Sequence, residues 1–244
     1  MKWQHKAKIM DFFAKMPGGE EIYQRVQRRW GRLNSNPVER LSVQVEMTRW
    51  LLASGRSVDG KQVLEVGTGH KPIVPIGFFL SGARSIITID LNRRLNWDLT
   101  KDALIWISMN RERVEEMYQD VTQKNALRQR LDLVSRLCLT PQIFMETANI
   151  QYRAPANAAK TGLPDHSVDI HFSVTTLEHI PLPALRSIFV EALRVLTDDG
   201  AAIHFVDPSD HFQHQDPTIS KINFLRFSDT EWERLAGNPF AYCN

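Results

Sequence analysis

The sequence has few cysteines, little net charge and no long apolar run. Its two cysteines in 244 residues, Cys138 and Cys243, lie far apart and in no metal-binding spacing. This excludes a disulfide scaffold and favours a reduced, cytoplasmic protein. A net charge of +2 does not suggest nucleic acid or an anionic membrane as a bulk partner. No apolar run approaches the about 18 residues of an integral membrane segment, and no signal peptide is expected.

The sequence predicts a helical N-terminal extension over residues 1–58. The apolar residues between Ile9 and Met16 alternate with charges, which is typical of a short amphipathic helix that docks on its own protein or lies on a membrane. Residues 20–34 have apolar side chains at helical spacing, with arginines between them that form a solvated or an anion-recognising face. Asn36 and Glu39 flank a proline, as at a helix start.

The stretch Gln62–His70 combines a short apolar strand with two glycines, Gly67 and Gly69. In α/β folds, an apolar strand that ends in glycines and leads to a helix brings the backbone close to a nucleotide. A second strand is predicted at Ser85–Ile89, and Asp90 follows it directly. An acidic residue about 20 residues past the glycine turn is placed to accept hydrogen bonds from both ribose hydroxyls.

The rest of the chain alternates helix and strand. Residues 92–149 predict a crossover helix with an inserted helical cap, which either packs on the domain or selects substrate. Strands are predicted at Ile150–Arg153, at Val168–Val174 and at Ala201–Val206, with a helix from Pro183 to Leu196 before the last. The pattern predicts an α/β domain over residues 59–244 with a doubly wound, mostly parallel sheet.

Four segments in chain order resemble the signatures of the class I S-adenosylmethionine-dependent methyltransferases, in their small-molecule branch. They are Val63–Gly69, Asp90, the stretch from Gly162 to Ile180, and Leu193–Leu196 with Asp199 and Gly200. The resemblance covers roughly residues 60–210. It implies a Rossmann-like fold, S-adenosylmethionine as the cofactor, and direct displacement of a methyl group to a small-molecule or biosynthetic-intermediate acceptor, through oxygen or nitrogen.

The resemblance also implies a set of cofactor-binding residues: Glu65, Gly67, Thr68, Gly69, Asp90, Leu91, Asn157, Ala158, Ser173 and Val174. The glycine turn would approach the methionine end, and Glu65 would hold its amino group. Asp90 would bind the ribose. Asn157 stands where the family often has an aspartate near adenine, with Ala158 beside it, and its amide oxygen could still accept a hydrogen bond. The two residues that leave the fourth strand would line the reacting face.

The chain departs from the family in two places. The family's third glycine would fall at Lys71, which predicts a tighter or differently shaped turn. The family's sheet also ends with a sixth and a seventh strand, whereas only a short tail follows Val206. We therefore expect that the final antiparallel strands are missing or lie beyond residue 244, and that residues 208–227 cover the sheet edge. Ser228 and Glu231 in that tail predict a capping box.

A hydroxyl acceptor would require a general base, and the candidates are His179, Asp207, Asp210 and His211. His179 could be the base or a positioning residue. Residues 207–216 follow the fifth strand, where open α/β sheets bind ligands. This polar stretch could hold substrate and base, bind a divalent metal through His211 and His214, or form a hydrogen-bonded loop over the sheet end. The metal is the least favoured of the three, and no metal is predicted.

Two other functions compete with methyl transfer. A nicotinamide-dependent oxidoreductase would carry a third glycine where this chain has Pro72. A non-catalytic cofactor-binding protein would account for Lys71, Asn157 and the absent strands. Nucleic acid is disfavoured as a substrate by the near-neutral charge and by Ser173–Thr176, which does not match the signature of the amino-methylating nucleic-acid enzymes.

Overall fold

The computed structural model describes residues 2–19, 22, 36–214 and 216–237. Nearly all of the helix predicted over residues 20–34 lies outside these residues, as does Cys243. The chain divides into two compact units. One comprises residues 35–174 and 182–205, and the other comprises residues 1–34, 175–181 and 206–244. The domain boundary predicted at residue 58 stays a prediction.

The larger unit contains a sheet of five parallel strands in the order β3-β2-β1-β4-β5. The strands are β1 Gln62–Val66, β2 Ser85–Ile89, β3 Ile150–Arg153, β4 Val168–Val174 and β5 Leu196–Phe205. This confirms the doubly wound parallel α/β fold. The strand order reverses between β1 and β4, and ligands of such sheets bind at this switch point, outside the carboxyl ends of the strands.

Strand β5 begins earlier than the sequence predicted. Leu196 already pairs with Val168 of β4, and the regular register resumes where Ala201 pairs with Ile170. The intervening residues 197–200, which precede the strand predicted at Ala201–Val206, form an irregularity within β5. The prediction was wrong because pairing with β4 starts directly after the preceding helix, so that the polar residues are accommodated inside the strand.

The helices of the described residues are α1 Trp3–Ala14, α2 Val38–Ala53, α3 Ile73–Leu80, α4 Trp97–Met109, α5 Arg111–Tyr118, α6 Lys124–Leu137, α7 Pro141–Thr147, α8 Leu182–Val195 and α9 Asp229–Ala236. The predicted helical region 92–149 thus contains four helices. Asn96 caps the first of them by accepting a hydrogen bond from the Leu99 amide, and Pro141 opens the last at a position that needs no amide donor. None of the helices in the described part of the chain could cross a membrane.

A buried polar network joins α2 and α5 to α3, which follows the glycine turn. The Tyr118 hydroxyl donates to Gln44 Oε1 over 2.7 Å, and Gln44 Nε2 donates to Thr48 Oγ1 and Ser81 Oγ over 2.8 and 3.0 Å. Gln44 and Tyr118 are fully buried. Because each amide atom of Gln44 has a partner, the network positions these helices without leaving buried polar groups unsatisfied.

The smaller unit has an aromatic core between α1 and α9. Trp3 contacts Phe212, Phe227 and Trp232, with ring centroids 5.5 to 5.8 Å apart. Asp216 accepts a hydrogen bond of 2.8 Å from the Trp3 amide at the start of α1, where a negative charge is favourable. The capping box predicted at the start of α9 is confirmed: Ser228 and Glu231 exchange the expected hydrogen bonds.

Candidate active site

The glycine turn after β1 is held against the end of β2. Gly67 and Gly69 have φ values of 91° and 65°, in the left-handed region that favours glycine. The Gly67 amide donates to the carbonyl oxygen of Ile89 over 2.8 Å, and the Gly69 amide donates to Asp90 Oδ2 over 2.8 Å. A Cβ atom added to Gly69 would meet nothing within 4 Å. The turn therefore presents its backbone to open space.

Asp90 is fixed on both its side chain and its main chain. Its Oδ1 accepts from the Asn92 amide over 3.3 Å, and its carbonyl oxygen accepts from the Ala156 amide over 2.9 Å. The residue is half-buried, and Leu91 beside it is 67% exposed. A carboxylate has about four acceptor positions, and that of Asp90 accepts from the main-chain amides of Gly69 and Asn92. It therefore retains acceptor capacity for a pair of ribose hydroxyls.

Glu65 is a buried acid at the centre of a threonine chain. The Thr88 hydroxyl donates to Glu65 Oε2, and Thr88 in turn shares a hydrogen bond with the hydroxyl of Thr68. Burial raises the pKa of Glu65 to about 8, although the Thr88 hydrogen bond and the charge of Arg40 act in the opposite direction. The carboxyl group is therefore mostly protonated at neutral pH, and a cation placed beside it would favour its ionisation.

Sequence reasoning missed Thr88, whose role depends on the sheet register. Thr88 pairs directly with Glu65 across β1 and β2, so their side chains lie on the same face of the sheet. The available signal was a threonine within the otherwise apolar run Ile86–Ile89 of β2, and the structure shows it fully buried. Such a residue usually has a hydrogen-bond partner on a neighbouring strand.

Asn157 and Ala158 lie in a turn after β3. Asn157 is exposed, and its Oδ1 accepts from the Ala159 amide over 2.9 Å, while its carbonyl oxygen accepts from the Lys160 amide over 2.9 Å. Ala158 is buried, with 8% of its surface exposed. The Asn157 oxygen already accepts one hydrogen bond, and its second lone pair could accept another.

A charged pair on α8 holds the segment that follows this turn. Glu191 Oε1 accepts from both the amide and the hydroxyl of Thr161, over 2.8 and 2.6 Å. Arg194 Nη2 donates to the Leu163 carbonyl over 2.9 Å, and its Nη1 pairs with Asp165. Arg194, with help from the Thr161 hydrogen bonds, lowers the pKa of Glu191 to about 2. The carboxylate is therefore ionised at neutral pH and keeps its contacts.

Ser173 and Val174 are buried at the end of β4. The Ser173 hydroxyl is hydrogen-bonded to His204 Nδ1 of β5 over 2.8 Å, and the His204 ring lies 5.3 Å from that of His171. Burial lowers the pKa of His204 to about 4, so its ring is neutral. Ser173 is fully buried and Val174 is 6% exposed, and the Ser173 hydroxyl has His204 as its partner. His204, a polar residue within a strand, was also missed.

The smaller unit brings together three of the four candidate bases, His179, Asp207 and His211. His211 Nε2 lies 3.4 Å from Asp207 Oδ2, and the His179 and His211 ring centroids are 5.2 Å apart. His214 Nε2 lies 3.8 Å from the same Asp207 oxygen. Glu178 accepts a hydrogen bond of 3.4 Å from the Asp207 amide. The loop that follows β5 in the sequence thus meets the short 3₁₀ helix Leu177–His179.

Burial and neighbouring charges determine the protonation states of Asp207 and His211. Burial alone would raise the pKa of Asp207, but its hydrogen bonds with Ser209 and the charges of His211 and His214 outweigh burial and lower it. Burial lowers the pKa of His211, although the Asp207 charge acts against this. An ionised carboxylate therefore lies beside a neutral imidazole at neutral pH, which is the arrangement of a general base with its orienting acid.

Asp210, another candidate base, supports the loop. It is fully buried, and its carboxylate accepts from the Phe212 amide over 2.9 Å and from Asn223 Nδ2 over 3.1 Å. Within the described ranges, no group of three His, Cys, Asp or Glu residues has the geometry to hold a metal ion.

Comparison with known families finds a match over part of the chain. The methyltransferase domain family model matches residues 112–204, which include β3, β4 and α8 but not the glycine turn or Asp90. No curated protein matches the chain.

Several solved structures of methyltransferases are similar. A candidate S-adenosyl-L-methionine-dependent methyltransferase from Methanococcus maripaludis has a TM-score of 0.44 and 12% identity, over 88% of this chain and 79% of that one. A candidate methyltransferase from Bacillus halodurans has a TM-score of 0.39 and 14% identity, over 77% of this chain and 65% of that one. Phosphoethanolamine N-methyltransferase 1 from Haemonchus contortus has a TM-score of 0.37 and 15% identity, over 85% of this chain.

The chain spans 65% of the length of the Bacillus halodurans protein and 33% of the length of the Haemonchus contortus protein. All three overlays are too loose to carry an argument of their own. The family match covers less than half of the chain, and the strand order is that of a doubly wound parallel sheet. Residues 112–204 are thus similar to a methyltransferase domain.

Proposed function

We propose that the protein transfers a methyl group from S-adenosylmethionine to a small-molecule or biosynthetic-intermediate acceptor, at an oxygen or a nitrogen atom. The observation that carries this proposal is the hydrogen bond from the Gly69 amide, after β1, to Asp90, after β2, beside the switch point of the sheet. This hydrogen bond joins the glycine turn, whose backbone faces open space, to the Asp90 carboxylate, which can accept further hydrogen bonds. These two features suit the methionine end and the ribose of one nucleoside cofactor.

The donor and acceptor groups present fit this cofactor. Asp90, with Leu91 beside it, would accept from the ribose hydroxyls, and the turn with Thr68 at its centre would approach the methionine moiety. Glu65 would hold the amino group, directly or through water. Asn157 and Ala158 would meet the adenine, while the backbone at the end of β4 would line the reacting face. The bound cofactor supplies an electrophilic methyl group on a positively charged sulfur atom.

His211 supplies the base for a hydroxyl acceptor, and Asp207 stabilises the imidazolium that forms. The support is the contact of 3.4 Å between them and the lowered pKa of His211, which leaves its imidazole neutral and able to take a proton. His179 packs on the His211 ring and is a positioning residue. Direct displacement needs mainly the alignment of the reacting groups, so these residues matter less if the acceptor is an unprotonated amine.

Composition supports a small acceptor and a cytoplasmic location. The net charge of +2 gives no general attraction for nucleic acid. The low cysteine content is that of a reduced compartment. Both remain predictions of the sequence.

Calorimetry with two ligands tests the proposed function. The full chain is titrated with S-adenosylhomocysteine, the product form of the cofactor, and in parallel with NAD. We expect S-adenosylhomocysteine to bind and NAD to give no signal. NAD binding without S-adenosylhomocysteine binding would favour the oxidoreductase instead. A screen of small hydroxyl and amine acceptors for S-adenosylhomocysteine production would then separate an enzyme from a non-catalytic binding protein.

A further inference from the structure

Helix α1 has apolar side chains on two opposite faces. The inner face, with Trp3, Ala7 and Met10, is buried in the aromatic core of the smaller unit. On the outer face, Ile9 and Phe12 are 42% and 60% exposed, and Met16 in the following turn is 37% exposed. Residues three and four apart on a helix are neighbours. These three side chains therefore form one contiguous patch, unlike the isolated apolar residues of an ordinary surface.

Lysines border this apolar patch. Lys8 and Lys15 are seven residues apart and follow one side of the helix, while Lys2 lies at its start, and all three are exposed. Asp11 is the only acid in α1, and it is paired with Lys15 over 2.7 Å. The net charge of +2 for the whole chain conceals this local excess. The outer face of α1 thus combines apolar side chains with a basic border.

We propose that the outer face of α1 binds the surface of an anionic lipid bilayer. Apolar side chains that are bordered by lysines are suited to the boundary between headgroups and acyl chains, where both contacts are made at once. A second copy of the chain fits less well, because the lysine borders of two copies would face each other. Three side chains also offer far less area than the about 800 Å² per partner of a stable protein interface.

Vesicle co-sedimentation of the full chain tests this proposal. Vesicles of phosphatidylcholine alone are compared with vesicles that also contain phosphatidylglycerol. We expect binding to the mixed vesicles, weakening with added salt, and little binding to phosphatidylcholine alone. Lys8→Gln should lower the partition coefficient about fivefold, since one basic residue contributes that much at an anionic surface. Phe12→Ser should lower it about tenfold or more through the loss of apolar burial.

Leu193→Ser is the matched control. Leu193 lies on α8 in the other unit and is 75% exposed, so its substitution should leave vesicle binding unchanged. Phe12 is also an exposed side chain, and circular dichroism of Phe12→Ser should match that of the wild type. Equal binding to both kinds of vesicle, or wild-type binding by Phe12→Ser, would overturn the proposal. Self-association that Phe12→Ser abolishes would equally overturn it, in favour of a second copy.

Discussion

The main-chain amide of Gly69 donates a hydrogen bond of 2.8 Å to the carboxylate of Asp90. Gly69 follows β1 and Asp90 follows the neighbouring strand β2, and the two residues are 21 positions apart in the sequence. Their contact fixes the shape of the glycine turn before any ligand arrives. A preorganised site of this kind loses less conformational freedom on binding.

The raised pKa of Glu65 predicts proton release when the cofactor binds. Its pKa is about 8 in the protein alone, so the acid is mostly protonated at pH 7. If it holds the cofactor's ammonium group, the positive charge lowers this pKa and the proton leaves. The affinity for S-adenosylhomocysteine should therefore rise with pH until about pH 8 and then level off.

Calorimetry in buffers of different ionisation enthalpy measures this release. At pH 7 the observed binding enthalpy should vary with the buffer, with up to about one proton released per site. Glu65→Gln should remove the variation. A binding enthalpy of the wild type that is the same in all buffers would show that Glu65 does not meet the ammonium group.

The Asp207–His211 pair predicts an unusual histidine titration. Burial lowers the pKa of His211, whereas the Asp207 charge raises it. By nuclear magnetic resonance, His211 should titrate below the about 6.5 of an ordinary histidine, and Asp207→Asn should lower its pKa further. His5→Gln on α1 is the control and should leave the His211 titration unchanged.

With a hydroxyl acceptor, kcat should fall about 10²- to 10⁴-fold in His211→Gln. The wild-type rate should fall as the pH drops through the lowered His211 pKa, because the protonated ring cannot take another proton. A His211→Gln variant with the wild-type rate on such an acceptor would remove this residue from the mechanism.

The Glu191–Arg194 pair should affect cofactor affinity through the segment that it holds. Arg194→Met removes the donors to Leu163 and Asp165, which lie beyond the turn that carries Asn157 and Ala158. We expect the dissociation constant of S-adenosylhomocysteine to rise about tenfold, since ordering of this segment is then left to the ligand. Arg186→Met, on the exposed side of the same helix, should leave the constant unchanged. Equal constants for both variants would rule out this role.

The polar network around Gln44 predicts a stability effect that is separate from binding. Tyr118→Phe removes the donor to Gln44 Oε1 and leaves this buried acceptor without that partner. The free energy of unfolding should fall by about 1–3 kcal/mol, as measured with urea. A double-mutant cycle with Gln44→Met should show coupling between the two positions. Additive effects would mean that their hydrogen bond contributes little.

Local patterns in the sequence predicted much of the fold. The bounds of β2, β3 and β4 follow from apolar runs between polar turns, and the structure has them at the predicted residues. The position of Asp90 after β2 could be predicted, whereas its hydrogen bond with the Gly69 amide could not. Thr88 and His204 were missed because their partners, Glu65 and Ser173, lie on neighbouring strands. Such pairs depend on strand register, which a single sequence specifies poorly.

The early start of β5 has a similar cause. Asp198, Asp199 and Gly200 are typical turn residues, and nothing in their local pattern indicates that Leu196 already pairs with Val168. Likewise, the cluster of His179, Asp207 and His211 was expected only as a set of candidates. Their proximity depends on two loops that lie far apart in the sequence, and the rings come together only in the folded unit.

Titration of Asp90→Ala with S-adenosylhomocysteine tests the central claim most directly. The matched control is Asp102→Asn, which changes an exposed acid on α4. If Asp90 binds the ribose, the alanine variant should lose about 100-fold or more in affinity, because two charge-assisted hydrogen bonds disappear, while the control binds like the wild type. Binding by Asp90→Ala with the wild-type dissociation constant would contradict the assignment of this site.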